Sequence, residues 1–184
     1  MGTLRLIAGE FGGRSIRTPS SDATHPMSER ARAGVFNVLV SHGFQFEDAN
    51  VLDLFAGSGA LGLEAVGRGA SQVTFVEKNR QAAEAIRGNI EQLGLDKERA
   101  RVAERNVFSP ASDMEFGLVF CDPPYGDYGK NVSRLAELLD GLRVGDGAVL
   151  VLSRPSDGPG MELADWRLWG SKKYAEAMVE FYSR

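Results

Sequence analysis

Short continuous apolar runs alternate along this chain with apolar residues at helical spacing. Val51 to Phe55, Gln72 to Val76, Leu118 to Cys121 and Ala148 to Ser153 have strand length, and such runs between turn residues predict buried strands. Arg101 to Glu104 is a shorter strand leading to Asn106. Between these runs the period becomes helical. Ala82, Ala83, Ile86, Ile90 and Leu93 line one side of a helix over about 79–93, which Gly94 stops. A helix near 131–141 carries Leu135, Leu138 and Leu139, and another opens in the glycine-rich turn after Phe55 and runs to about Arg68. Trp166 to Gly170 and Ala177 to Tyr182 predict a terminal hairpin. Strand and helix in alternation predict an α/β fold, a mostly parallel sheet with helices on both faces. With the hairpin the sheet has seven strands, the last one antiparallel.

The front of the chain differs. Leu4 to Ala8 and Arg14 to Thr18 are strand-like, and Gly9-Glu10-Phe11-Gly12-Gly13 between them supplies turn residues, so a β-hairpin is predicted. A polar segment from Thr18 to Ala23 and then Thr24-His25-Pro26-Met27 follow. Ser28 is the predicted N-cap of a helix over 29–41 whose apolar side is Val35, Phe36, Leu39 and Val40, with Arg30 and Arg32 off that side. Too small and polar to fold alone, residues 1–43 are expected to dock as an appendage on a body formed by 44–184.

Charge sharpens this division. The chain of 184 residues carries a formal net charge of −4. Residues 1–43 hold five arginines against Glu10, Asp22 and Glu29, which is +2, so the remainder carries −6. A basic arm on an acidic body fits local contact with phosphate rather than general polyanion binding. Cys121 is the single cysteine, so an intrachain disulfide or a cysteine metal cluster is excluded, and no metal site is predicted. Cys121 itself is read as core, His25 and His42 as structural, and Trp166 and Trp169 as packing groups. No run reaches membrane-spanning length and the start lacks the apolar core of a signal peptide. A cytoplasmic monomer without membrane contact is expected.

The first strand, the turn Gly57-Ser58-Gly59 with Gly62, and a helix form the arrangement of nucleotide-binding first turns. Glu77 follows about 20 residues on, at the end of the second strand, where a carboxylate can take both ribose hydroxyls. A dinucleotide is one candidate. However, the turn has no basic group for a pyrophosphate, and Asp53 lies just before it, where it could bind an ammonium. Acidic groups on both sides of the loop suit S-adenosylmethionine, which has a cationic amino-acid end and a ribose.

Asp122-Pro123-Pro124-Tyr125 ends the apolar run at Cys121. Proline cannot continue a hydrogen-bonded ladder, and residue 122, before a proline, is held extended. The result is a stiff exit from the sheet with a carboxylate, a free carbonyl and an aromatic face. Such a corner can accept hydrogen bonds from a planar amine while the ring stacks on its heterocycle. Asp122 is expected to stay solvated until the amine arrives.

Several of these segments resemble one family, the guanine-N2 methyltransferases of bacterial small-subunit rRNA (RsmD family). They are Asp53 to Ala65, Arg5 to Gly9 with Gly12-Gly13-Arg14, Pro26 to Arg32 with Val35-Phe36-Asn37, Asp122 to Tyr125, and the tail with Lys173-Tyr174 and Phe181-Tyr182. The resemblance implies a class I, Rossmann-like S-adenosylmethionine-dependent methyltransferase. Asp53, Gly57 and Gly59 would hold the methionine end, with Phe55 lining the same site, Glu77 would hold the ribose and Asn106 would sit beside the adenine. Asp122, Pro123 and Tyr125 would bind the target base, and Arg5, Arg14, Arg17 and Arg30 the RNA. The implied substrate is the exocyclic N2 amine of a guanine in 16S rRNA within an assembling small subunit. Met27 and Asn106 depart from residues common in the family at those positions. An amino-methyltransferase acting on adenine, cytosine or a protein glutamine amide is the alternative, and a non-catalytic RNA-assembly factor is a third reading.

Overall fold

The computed structural model describes residues 2–19, 27–109 and 114–184. His25 and most of the predicted polar segment lie outside the described residues. In order, the chain forms β1 (Gly2–Arg5), β2 (Ser15–Thr18), α1 (Glu29–Ser41), β3 (Asn50–Leu54), α2 (Ala60–Gly67), β4 (Gln72–Glu77) and α3 (Arg80–Leu93). It continues through β5 (Ala100–Glu104), β6 (Phe116–Cys121), α4 (Tyr125–Asp140), β7 (Val144–Pro155), β8 (Arg167–Tyr174) and β9 (Ala177–Ser183). Seven strands form one sheet in the order β5-β4-β3-β6-β7-β9-β8. The five strands from β3 to β7 are parallel. The last strand, β9, is antiparallel and is inserted between β7 and β8. Strand order reverses between β3 and β6, and open α/β sheets bind ligands at the carboxyl ends beside such a reversal.

Alternation along each strand divides the core. Val51, Val73, Phe75, Leu118 and Phe120 pack under Val35, Phe36 and Leu39 of α1, Leu63 and Val66 of α2 and Ile86 of α3. Leu52, Leu54, Val76, Val119 and Leu150 face the other way, onto Leu135 and Leu139 of α4. Successive side chains of a strand point to opposite faces, so these near-continuous apolar runs serve two layers. Capping agrees with the sequence reading. Ser28 accepts from the Ala31 N–H at the start of α1, and Gly94 closes α3 at φ 74°.

The β1–β2 hairpin has no core of its own. Leu6, Phe11 and Ile16 are buried in the cluster beneath α1 and α2, and fully burying such side chains contributes roughly 1.5–3 kcal/mol each. The hairpin is also tied by Glu64 of α2, which is 0% exposed. Its carboxylate accepts from the N–H groups of Ile7 (2.7 Å) and Ala8 (3.0 Å) and pairs with Arg68. Those two amides therefore leave the ladder, and β1 ends at Arg5 rather than at Ala8 as predicted. Gly9, at φ 72°, packs directly on the Gly67 carbonyl, where a Cβ has no room.

Three other expectations are corrected. Arg32 is buried, not on a solvated side; its Nη2 donates to the Arg5 carbonyl at 2.6 Å, joining α1 to the hairpin. The helix predicted near 131–141 begins at Tyr125, six residues earlier. Pro124, with φ −56°, leads straight into the first turn, and only Tyr128 is buried among the opening residues, so no apolar period marks them. β7 begins at Val144, four residues before the strand predicted from Ala148, and a register shift between Phe116 and Leu118 absorbs the irregularity. Finally, His42 stacks on Trp169 with ring centroids 3.6 Å apart, a partner the sequence did not indicate. Trp166 packs as expected, its Nε1 donating to the Leu139 carbonyl.

Candidate active site

One register level carries three of the candidate residues. Leu54 pairs with Val76 on one side and Cys121 on the other, and Cys121 pairs with Leu152. The next residues along these four strands are Phe55, Glu77, Asp122 and Ser153. They meet at the carboxyl edge of the sheet, at the reversal in strand order. Asp53 lies two residues inside this row, opposite Phe120.

The glycine turn is shaped by the two acids that flank it. Phe55 leaves β3 at φ 59°, a conformation costly for a bulky residue. Gly57 and Gly59 continue at φ 56° and 77°. The Glu77 carboxylate accepts from the Gly57 N–H at 2.9 Å and from the Asn79 N–H at 2.7 Å. It thus joins the turn to the start of α3. Asp53 is 2% exposed and accepts from the Gly62 N–H at 3.0 Å. Burial pushes its carboxyl well above the usual range, against the Gly62 hydrogen bond and helped by the charges of Asp122 and Glu77. A Cβ at Gly57 would approach only the Phe55 carbonyl, at 3.9 Å, so the outer side of the turn is open backbone. The segment from Phe55 to Gly62 carries no cation. These residues fit a ligand with a ribose and an amino-acid end better than one with a pyrophosphate.

Asp122 does not stand in solvent as expected. It is half-buried, and desolvation lifts its carboxyl to about 6, opposed by a hydrogen bond with Ser153. Pro123 is buried, while Tyr125 keeps 38% of its surface exposed. The Tyr125 hydroxyl lies 2.9 Å from Ser153 Oγ. Beside Tyr125 an open cavity of about 620 Å³ is lined by Tyr128, Pro155, Gly158, Pro159 and Glu176. Arg154 fixes its wall, donating to the carbonyls of Pro155 and Gly158 while forming a 2.7 Å pair with Glu180. Asn106, beyond β5, is exposed, and its Oδ1 accepts from the Phe108 N–H. Cys121 is buried, and burial pushes its thiol up, as suits a core residue.

The candidate RNA residues lie apart from this row. Arg5, Arg14, Arg17 and Arg30 are all exposed. Leu4 pairs with Ile16 on the buried side of the hairpin, so Arg5 and Arg17 lie on its outer side. Arg14 is partly engaged, its Nη2 donating to the Gln92 carbonyl at 2.7 Å. The two regions are joined by Asn89 of α3, which is 0% exposed. It exchanges hydrogen bonds with the backbone of Arg17 and donates to the carbonyl of Ser58 in the glycine turn. Sequence reasoning missed Glu64, Asn89, Ser153 and Arg154. Polar residues at otherwise inward positions of α2 and α3 were the available signal for the first two.

Residues 4–183 match the protein-family profile described as conserved hypothetical protein 95. The chain belongs to this family. The family also includes proteins named ribosomal RNA small subunit methyltransferase D. The one from Escherichia coli K12 is 30% identical over 185 residues, covering 100% of this chain and 91% of that protein. The one from Haemophilus influenzae is 35% identical over 128 residues, 67% of this chain and 65% of its own length. Among solved structures, the Escherichia coli protein YhhF is 29% identical, with a TM-score of 0.86 over 100% of this chain and 98% of that one. An RNA methyltransferase of Salinibacter ruber, solved with S-adenosyl-L-homocysteine, shares the fold at 13% identity and a TM-score of 0.62, over 86% of this chain and 93% of that one. The architecture of the family is thus a class I methyltransferase sheet with an N-terminal hairpin.

Proposed function

We propose that this chain transfers a methyl group from S-adenosylmethionine to the exocyclic N2 amine of a guanine in small-subunit rRNA. The observation that carries the reading is the shared register level of Glu77, Phe55 and Asp122. It sets two carboxylates, Glu77 and Asp122, on either side of the glycine turn, which supports a ribose site beside an amine site. Membership of the family and the names of its rRNA-modifying relatives support the substrate class.

In this reading Asp53, Phe55, Gly57 and Gly59 shape the methionine end of the cofactor site, Glu77 accepts from the ribose hydroxyls and Asn106 sits beside the adenine. When bound, the cofactor supplies an electrophilic methyl on a sulfonium. The protein's task is then mainly alignment. The Tyr125 ring stacks the base. Asp122 and the Pro123 carbonyl accept the amine hydrogens, drawing the lone pair back from the ring towards the nitrogen. The contact with Asp122 strengthens as the nitrogen gains positive charge, so it favours the transition state over the ground state. A base in a helix must leave its stack to reach this edge. The cavity beside Tyr125 offers it room. The outward arginines of residues 1–43 hold phosphates and set the register.

The test is transfer of label from the methyl donor to assembling small subunits, total RNA, DNA and protein, followed by digestion of the labelled RNA to nucleosides. N2-methylguanosine is expected. Label in adenine, cytosine or glutamine identifies the alternative acceptor, and no label in any fraction refutes enzymatic transfer.

A further inference from the structure

Ser153 lies two residues before the end of β7, next to Asp122, which directly follows β6, because the preceding pair Leu152 and Cys121 are in register. It is 1% exposed. Its single hydroxyl lies 2.9 Å from the Tyr125 hydroxyl, and across the β6–β7 pairing it stands beside Asp122, whose ionised carboxylate it favours. We propose that Ser153 is a positioning residue for the transfer step, linking the Asp122 carboxylate to the Tyr125 ring through one buried hydroxyl. This rests on the reading of Asp122 and Tyr125 as the pair that holds the acceptor base.

The direction of the link follows from donor counting. A serine hydroxyl has one proton and an ionised carboxylate has none. The Ser153 proton therefore goes to Asp122, and the Tyr125 hydroxyl must donate to Ser153 Oγ. Two consequences follow. The carboxylate is oriented from behind by one of its several acceptor positions, leaving the others for an amine. The tyrosine is held at its hydroxyl end, so its exposed ring face is fixed before a base arrives. Ordering both groups in advance removes an entropic cost from the step they serve. The same hydroxyl favours the ionised carboxylate. Asp53 faces Asp122 from β3, Cys121 from its own strand and Tyr125 from α4, while Glu176 acts on Tyr125 from the turn before β9. None of these is a cation, so Ser153 opposes the desolvation of Asp122.

The experiment combines Asp122 titration by carboxyl NMR with single-turnover methylation of assembling small subunits across pH, for wild type, Ser153→Ala, Tyr125→Phe and the double variant. Ser153→Ala is expected to move the Asp122 titration and the acid limb of the rate up by about one pH unit, the loss of one hydrogen bond to a charge. Near pH 6 that is a rate loss of about fivefold beyond any loss at alkaline pH. Cofactor affinity by calorimetry stays near wild type. Because the tyrosine hydroxyl acts through Ser153, Tyr125→Phe costs less in the Ser153→Ala background than alone. An unmoved titration, or full additivity of the two substitutions, overturns the proposal. If Ser153→Ala does not fold, Ser153→Cys keeps the volume with a weaker donor and is expected to give part of the shift; no shift again overturns it. The titration is read whether or not RNA is accepted. A wild-type chain that methylates no RNA therefore sinks the functional reading and leaves this link to be judged on the titration.

Discussion

The carboxylate of Glu77 holds the N–H of Gly57 at 2.9 Å across the open edge of the sheet. One acid at the end of β4 thus fixes the turn that follows β3, and in the proposed function it also holds the ribose. Glu77→Ala removes both functions. S-adenosylmethionine affinity is expected to fall by roughly 1.5–3 kcal/mol, or about 10- to 100-fold, from the removal of charge-assisted hydrogen bonds. Calorimetry with the methyl donor and with its demethylated product checks this. Binding of NAD instead, with no heat from either, would overturn the cofactor assignment.

Asp122 sets function against stability. Its carboxyl is raised to about 6 by desolvation, so the folded chain binds a proton there that the unfolded chain has released. Stability from this group therefore falls as pH rises from the ordinary carboxylate value to about 6. The loss is at most about 3 kcal/mol at neutral pH. Asp122→Asn is expected to gain stability at neutral pH and little at pH below the ordinary carboxylate range. Chemical denaturation at the two pH values measures the difference, and an equal effect at both would contradict the burial argument.

In the transfer step the same residue should be costly to lose. Asp122→Ala is expected to lower kcat by roughly 10²–10³ with cofactor affinity near wild type, as for loss of a group acting on developing charge. Tyr125→Ala should lose about 1–3 kcal/mol of base stacking, whereas Tyr125→Phe keeps the ring and should be milder. Single-turnover methylation reports both, and a wild-type rate in Asp122→Ala would end this mechanism.

Glu64 secures the hairpin. Glu64→Ala leaves the Ile7 and Ala8 amides and the Arg68 side chain without their acceptor. Removing one partner of a buried pair costs roughly 3–5 kcal/mol. Hydrogen exchange should show protection falling first at Ile7 and Ala8. Protection retained there would mean that apolar burial alone holds the hairpin.

The outer arginines should act through phosphate. Replacing Arg5, Arg14 and Arg17 by alanine is expected to weaken RNA binding and to reduce the salt slope by about 0.7–0.9 for every phosphate that is no longer neutralised. Cofactor binding should persist. An unchanged slope would assign these side chains to structure alone.

What the sequence by itself determined is local in kind. Strand length, helical period, the Ser28 and Gly94 caps and the glycine turn with an acid on each side are set by residues a few positions apart, and their signals survive reading in short windows. Strand order and partner choice are not local. Glu64 meets Ile7 across 57 residues, Asn89 meets Arg17 across 72, and Tyr125 meets Ser153 across 28. An inward glutamate on α2 or a serine ending an apolar strand gives no hint of its partner until the sheet is assembled. The start of α4 was hidden for a related reason. Its first turn crosses the active edge, where exposure of Tyr125, Gly126 and Asp127 replaces the apolar period. Tertiary structure decided that Asp122 is half-buried, that Arg32 is a buried strut and that one hydroxyl joins Asp122 to Tyr125. Each is a matter of desolvation and donor supply, which depend on what the rest of the chain places alongside.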